Sequence, residues 1–274
     1  MTESDHKPVL HFMHGNGFPA GTYRQFLRHL EPHYTIGVTE MVGHQPDYPV
    51  TDGWRFLVQE LIDTLQKRYR EPVVLVGHSL GGILSLMTAR ARPDLVRCVV
   101  VIDSPVVAGW RARLLQMAKY LPAMKHYSPA RFSEKRKHQW PDRQAAFDHF
   151  AAKDVFAAWP REVLWDYVQA GTKETSSGVE LSFSREVETA IYLTLPHRLG
   201  RLIRRPPAVP VGFVGGTDSV ECRQAGDFYT KKLMGRHYTL IPGSHLIPME
   251  KPEQTARAVL DMLHSFPSIK QSHT

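Results

Sequence analysis

Short apolar runs alternate along the chain with segments whose apolar residues recur at helical spacing. The apolar runs at 9–13, 34–38, 72–76 and 96–102 predict strands, and the last two are apolar enough to be buried on both faces of a sheet. Trp54, Val58, Leu61, Ile62 and Leu65 predict one face of a helix with Asp52 as its N-cap, and a second helix is predicted over 83–90. This alternation favours an α/β fold with a parallel central sheet flanked by helices.

The alternation stops at Asp103 and resumes at Val209. Residues 104–208 contain no run typical of a buried strand, but they contain helical, aromatic-rich stretches at 110–121 and 144–168. Strands are predicted again at 209–214 and 237–241, with helices over 222–234 and 252–264. We therefore predict a core made of residues 1–103 and 209–274, and a helical insertion over residues 104–208.

The net charge of +7 is confined to this insertion. The insertion has 17 basic and 10 acidic residues, whereas the rest of the 274-residue chain has 17 of each. The sequence contains no nucleic-acid-binding motif, so we predict no nucleic-acid partner. Two interpretations stay open: a solvated basic surface, and a field that attracts anionic substrates or an anionic membrane surface.

The overall composition is that of a globular protein, with 42% hydrophobic and 22% charged residues. It excludes a disordered chain, a collagen-like repeat and a disulfide-rich mini-protein. Cys98 and Cys222 are the only cysteines, which favours a reducing compartment. Residues 1–8 lack the pattern of a signal peptide, and no window approaches the roughly 18 apolar residues of a transmembrane segment. We predict a cytoplasmic protein.

The strongest local motif is Gly77-His78-Ser79-Leu80-Gly81, which matches G-x-S-x-G between a predicted strand and a predicted helix. A serine on so sharp a turn is strained, and glycines on both sides avoid side-chain clashes. The turn raises the hydroxyl above the sheet beside a helix N-terminus, where free N–H groups favour negative charge. The alternative interpretation is a glycine-rich packing turn without catalytic chemistry.

With this motif in place, the chain resembles an α/β-hydrolase-fold serine hydrolase of the esterase or lipase type with a helical cap. His14-Gly15-Asn16-Gly17-Phe18-Pro19 resembles the oxyanion loop of that family. The resemblance implies that the backbone N–H groups of Asn16 and Leu80 form the oxyanion hole. It gives His14 a bracing role in the loop.

The resemblance also implies a base and an acid after the serine. His245 lies in a Gly-Ser loop between the last predicted strand and helix, which resembles the loop of the family's catalytic histidine. Asp218 follows the 209–214 strand and is the preferred acid. Asp103 is the alternative acid because some family members place it at the end of the preceding strand.

These residues predict an enzyme that cleaves a carboxylic ester or related acyl bond, with catalytic Ser79, His245 and Asp218 and an acyl-enzyme intermediate. No cofactor or metal is predicted, since no H-E-x-x-H or paired ligand spacing occurs. The partner would be a small-molecule acyl substrate, with anionic esters as one candidate class. Thioesterase, acyltransferase and C–C bond hydrolase activities stay open, as do a hydrolase-fold ligand receptor and a monomeric or homodimeric state.

Overall fold

The computed structural model describes residues 7–119 and 130–267, and a six-stranded parallel sheet forms its centre. The sheet order is β2-β1-β3-β4-β8-β9, and every neighbouring pair is parallel. The six strands are β1 (Val9–Met13), β2 (Thr35–Thr39), β3 (Val73–His78), β4 (Val96–Ile102), β8 (Val211–Gly216) and β9 (Tyr238–Ile241). The strands between β4 and β8 belong to a second sheet, described below.

Both faces of this sheet are buried, as the continuous apolar runs predict. Along β4, Cys98 and Val100 face one hydrophobic cluster, whereas Val99 and Val101 face the other. The period of two in a strand sends successive side chains to opposite faces, so each face requires its own helical layer.

The α-helices are α1 (Arg24–Arg28), α2 (Arg55–Arg68), α3 (Leu80–Ala91), α4 (Gly109–Ala118), α5 (Ala130–Glu134), α6 (Arg143–Ala151), α7 (Arg161–Gly171), α8 (Arg185–Leu193), α9 (Gly200–Arg204), α10 (Val220–Ala225), α11 (Phe228–Met234), α12 (Ile247–Glu250) and α13 (Pro252–Ser265).

The predicted start of α2 was wrong in one respect. Asp52 does not cap the helix; it begins the short 3₁₀ turn Asp52–Trp54, and α2 begins at Arg55. Trp54 separates the two elements with a left-handed backbone at φ 60° and is 2% exposed. Its indole Nε1–H donates to Thr194 Oγ1 at 3.1 Å, so tertiary packing fixes this start rather than a polar cap.

The segment between β4 and β8 is not wholly helical. It carries α4 to α9 and a small antiparallel sheet of order β5-β7-β6. Its strands are β5 (Gln139–Trp140), β6 (Thr172–Thr175) and β7 (Gly178–Leu181). These strands are short and partly exposed, so they contain no continuous apolar run from which a strand could be predicted. The division of the chain into core and cap stays a prediction.

Most aromatic residues of this segment are buried together. Trp140, Phe147, Phe150, Phe156, Trp159 and Tyr167 belong to one hydrophobic cluster, and Trp165 packs against it. Trp110 differs, because it is 61% exposed. Tyr120 and Tyr127, which the sequence places in the same aromatic set, lie outside the described residues, as does the side chain of Phe132. No helix within 7–119 or 130–267 is both long and apolar enough to cross a membrane.

Candidate active site

Ser79 lies on the sharp turn between β3 and α3, at the carboxyl edge of the sheet. Its backbone is left-handed, with φ 52° and ψ −114°, which a non-glycine residue adopts only where the surroundings enforce it. A Cβ at Gly77 would lie 2.4 Å from Gly81 O, and one at Gly81 would lie 2.1 Å from Met13 O. The two glycines of the motif are therefore required by the close approach of backbone to backbone.

The structure brings Ser79 and His245 together with Asp103. His245 Nε2 lies 3.0 Å from Ser79 Oγ, and His245 Nδ1 lies 2.7 Å from Asp103 Oδ1. An ionised carboxylate only accepts hydrogen bonds, so Nδ1 carries the proton and Nε2 accepts from the serine hydroxyl. This tautomer leaves Nε2 free to take a proton from Ser79.

Asp103 makes the contact with His245 that the sequence predicted for Asp218. Asp103 is fully buried, whereas Asp218 is exposed and its backbone N–H donates to Gly243 O at 2.8 Å. Within the described part of the chain, the carboxylates within 4.0 Å of the His245 ring nitrogens belong to Asp103 and Glu221. The expected contact between Asp218 and His245 is therefore wrong: the structure places the alternative carboxylate, Asp103, against His245.

Four donors hold the Asp103 carboxylate. Besides His245, Ser219 Oγ donates to Oδ1 and Gly216 N–H donates to Oδ2, both at 2.7 Å. The Cys222 thiol lies 3.3 Å from Oδ1. Asp103 itself has a left-handed backbone at φ 44°, which aims its side chain back toward β8 and the His245 loop.

These contacts set the charge states of the pair. Burial favours the neutral acid at Asp103, but the hydrogen bonds from His245, Ser219 and Gly216 outweigh it and lower its pKa. Burial likewise opposes a charge on His245, yet its hydrogen bond to Asp103 and the nearby Glu221 carboxylate raise its pKa. The site therefore stabilises an imidazolium next to a carboxylate.

Asn16 and Leu80, whose backbone N–H groups are the expected oxyanion donors, line the same cavity as Ser79. Neither N–H has an acceptor within residues 7–119 and 130–267, so both are available to a ligand. The Asn16 side chain is engaged elsewhere, because its Nδ2 donates to Glu188 O on α8 at 2.9 Å. His14 braces this loop: its Nδ1 donates to Gly15 O and its Nε2 accepts from Val42 N–H.

A buried hydrogen-bond chain joins the 14–19 loop to the His245 loop, and the sequence did not predict it. His78 Nε2 lies 2.9 Å from His245 O, which only accepts, so Nε2 carries the proton. Burial, followed by the charge of His245, lowers the pKa of His78 to about 3, so its Nδ1 is an acceptor. Tyr23 Oη donates to that Nδ1 at 2.7 Å and accepts from Gly15 N–H at 3.0 Å. The histidine inside the serine motif was the available sequence signal.

Beside Ser79 lies a cavity of about 620 Å³ with mainly apolar walls. The apolar lining includes Trp54, Ile83, Leu114, Leu115, Ile191 and Leu195. Elements from the core and from the segment between β4 and β8 therefore both contribute to it. No cluster of three or more His, Cys, Asp or Glu residues suited to a metal ion occurs among the residues that the structure describes.

Comparison with known proteins identifies the fold. The model of the alpha/beta hydrolase family matches residues 12–258. The chain belongs to this family. A solved E-2-(acetamidomethylene)succinate hydrolase superposes on this hydrolase-family chain with a TM-score of 0.73 at 23% identity, covering 94% of this chain and 92% of that one. A thioesterase domain from the curacin biosynthetic pathway gives 0.71 at 19% identity, with the same coverage. These likenesses confirm the predicted α/β-hydrolase fold.

Sequence relatives of this hydrolase-family chain include lipases. Lipase LipV of Mycobacterium tuberculosis is 33% identical over 120 residues, which is 42% of this chain and 45% of the lipase. Monoglyceride lipase of Homo sapiens is 30% identical over 111 residues, which is 38% of this chain and 37% of that enzyme. The chain thus aligns with less than half the length of these curated relatives.

Proposed function

We propose that this protein is a serine hydrolase that cleaves a carboxylic ester or a related acyl bond. The observation that carries the proposal is the hydrogen-bonded series Ser79–His245–Asp103 at the floor of an apolar cavity. Asn16 and Leu80 line the same cavity, and their backbone N–H groups have no acceptor among the residues that the structure describes. A nucleophile, an oriented base and donors for an oxyanion are the components that acyl transfer requires.

In the proposed reaction, Ser79 Oγ attacks the ester carbonyl while His245 Nε2 takes the hydroxyl proton. The carbonyl oxygen becomes an oxyanion, which accepts hydrogen bonds from the Asn16 and Leu80 N–H groups. Asp103 stabilises the imidazolium, which then gives its proton to the departing alcohol and leaves Ser79 acylated. His245 next takes a proton from water as that water attacks the acyl carbon. The bond to Ser79 Oγ then breaks, His245 returns the proton to Oγ, and the acid is released.

The relatives favour ester chemistry without fixing the substrate. Besides the lipases, a pimeloyl-[acyl-carrier protein] methyl ester esterase of Vibrio vulnificus is 28% identical over 110 residues. The segment over residues 104–208 would act as the cap that shapes the cavity, because α4 and α8 both contribute residues to its wall. A cytoplasmic location and a monomeric or homodimeric state stay predictions.

A hydrolase-fold receptor is the alternative from another class. A receptor binds a ligand without catalytic turnover, whereas the proposed enzyme turns its substrate over many times per Ser79. The observed series supports the enzyme, since no member of the nucleophile, base and acid set is missing.

The test is turnover of p-nitrophenyl esters, acyl thioesters and amides of graded acyl length, compared with Ser79→Ala. We expect ester hydrolysis over many turnovers that is lost in a folded Ser79→Ala protein. Ester turnover retained by the folded variant would contradict the role of Ser79. Binding without turnover by the native protein would favour the receptor.

A further inference from the structure

A single arginine lies in the wall of the otherwise mainly apolar cavity beside Ser79. This is Arg111 on α4, and among the described residues it is the only lysine or arginine that lines the cavity. Its guanidinium lies 4.6 Å from the centre of the Trp110 ring, within the range of a cation–π contact. A charge in such a wall requires a specific partner or continued access to water.

The position of the Arg111 guanidinium depends on a glycine in the turn between α10 and α11. A Cβ at Gly226 would lie 3.0 Å from Arg111 Nη1 and 3.2 Å from its Cζ, so the missing side chain leaves room for the planar group. Gly226 has φ 71°, which glycine adopts at little cost. The guanidinium therefore lies between the Trp110 ring and the Gly226 backbone.

Arg111 has no carboxylate within 4.0 Å in the part of the chain that the structure describes. Two carboxylates line the cavity, and both belong to its His245 end. The Asp103 carboxylate accepts hydrogen bonds from the four donors described above. Glu221 Oε2 lies 3.9 Å from His245 Nδ1. The cavity thus has negative charge near His245, and at Arg111 a positive charge that forms no ion pair with a described carboxylate.

We propose that Arg111 binds a carboxylate carried by the substrate, so that the substrate class is an anionic ester. This inference rests on the proposed ester hydrolysis. Glu221 and Asp103 repel an anion near His245, and Arg111 attracts it, so the substrate binds with its ester group at Ser79 and its carboxylate at Arg111. The planar guanidinium matches a carboxylate through two parallel hydrogen bonds.

The experiment compares matched pairs of esters that differ only in a carboxylate or a neutral carboxamide. Mono-p-nitrophenyl adipate against p-nitrophenyl adipamate tests a carboxylate on the acyl side. 4-Carboxyphenyl butyrate against 4-carbamoylphenyl butyrate tests one on the alcohol side. The measured quantity is the ratio of kcat/KM for the anionic and the neutral ester within each pair.

Arg111→Gln and Arg113→Gln form the matched variants. Arg113 is exposed on the same helix and does not line the cavity, yet its replacement removes the same unit of charge. We expect the native protein to prefer the carboxylate in one pair, and Arg111→Gln to lower that preference by about 10- to 100-fold, as expected for a charge-assisted hydrogen bond. Arg113→Gln should keep the native preference, and Arg111→Lys should keep only part of it.

Each result decides a separate question. Hydrolysis of the neutral esters without a carboxylate preference in either pair would overturn the role of Arg111 and leave the proposed ester hydrolysis intact. An equal loss of preference in Arg111→Gln and Arg113→Gln would also overturn it, because the general field of the basic surface would then be the cause. Failure to hydrolyse any of the four esters would overturn the proposed function itself.

Discussion

Replacing Asp103 by asparagine removes the charge that faces His245 and keeps the size of the side chain. In the native protein, His245 Nδ1 and Ser219 Oγ donate to one carboxylate oxygen, and Gly216 N–H donates to the other, each at 2.7 Å. An amide has one accepting oxygen and an NH₂ group that only donates. In either orientation of the asparagine amide, its NH₂ group therefore faces another donor: Gly216 N–H in one orientation, and His245 Nδ1–H with the Ser219 hydroxyl in the other.

The kinetic cost follows from the tautomer of His245. If the amide NH₂ faces His245, Nδ1 must accept and Nε2 then carries the proton, so it no longer serves as the base for Ser79. The equivalent substitution in a Ser-His-Asp protease lowers kcat by about 10⁴-fold. We expect a fall of similar size here, which corresponds to about 5 kcal/mol of activation free energy.

The assay is kcat for p-nitrophenyl butyrate, measured by absorbance on variants whose folding is checked by circular dichroism and thermal melting. Asp218→Asn is the control, because its side chain is exposed and its backbone bond to Gly243 O is unaffected. It should keep kcat within about twofold of the native value, because surface substitutions away from structural features usually change the free energy of unfolding by no more than about 0.5 kcal/mol. Near-native kcat in Asp103→Asn, or an equal loss in Asp218→Asn, would refute the assignment of the acid.

Three further changes test the rest of the site. His245 acts as a base only when neutral and its pKa is raised, so kcat/KM should fall as the pH drops through a value above 6.5; in Asp103→Asn this fall should move to lower pH. Tyr23→Phe leaves Gly15 N–H and His78 Nδ1 without their partner, so it should lower the free energy of unfolding by about 1–3 kcal/mol and reduce kcat/KM. Gly81→Ala places a Cβ 2.1 Å from Met13 O, so it should lower the free energy of unfolding by about 3 kcal/mol or more.

Each of these changes has its own check. A pH profile of kcat/KM with no inflection above 6.5 would argue against the hydrogen bond between His245 and Asp103. A Tyr23→Phe protein with native stability and native kcat/KM would show that the buried chain through His78 is dispensable. Gly200→Ala is the control for Gly81→Ala, since a Cβ there would meet only Ala108 Cβ at 3.6 Å. Equal stability of the two alanine variants would contradict the close-approach argument.

The sequence predicted the central sheet and the serine turn well because both rest on local patterns. β1 and β4 have the predicted bounds, since unbroken apolar runs are the direct signature of strands buried on both faces. The glycines around Ser79 likewise follow from the steric demands of one turn. Ser79 and His245 come together in space because both lie at the carboxyl edge of that sheet.

The sequence could not decide which carboxylate contacts His245, because Asp103 and Asp218 both follow the carboxyl ends of neighbouring strands. β4 and β8 pair in parallel, so both residues reach the same edge of the sheet. The choice depends on the left-handed backbone of Asp103 and on donors from Gly216 and Ser219, which are tertiary features. No local sequence pattern predicts this backbone conformation or these donors.

The small sheet between β4 and β8 escaped prediction for a different reason. In β6, one residue is buried and three are exposed, and in β7 only alternate residues are buried. Four-residue strands with so little burial carry no apolar run and too few positions for a reliable period of two. The position of Arg111 in the cavity wall could not be predicted from sequence either, because it depends on how α4 packs near Gly226.

The central claim is that Ser79 becomes acylated during ester turnover. The direct measurement is mass-spectrometric peptide mapping after acid quenching of the native protein during turnover of p-nitrophenyl butyrate. We expect a butyryl group on the peptide that contains Ser79, formed together with a burst of p-nitrophenol that approaches one equivalent per active chain. Turnover with no acyl group on Ser79, or with the acyl group on another residue, would contradict the account.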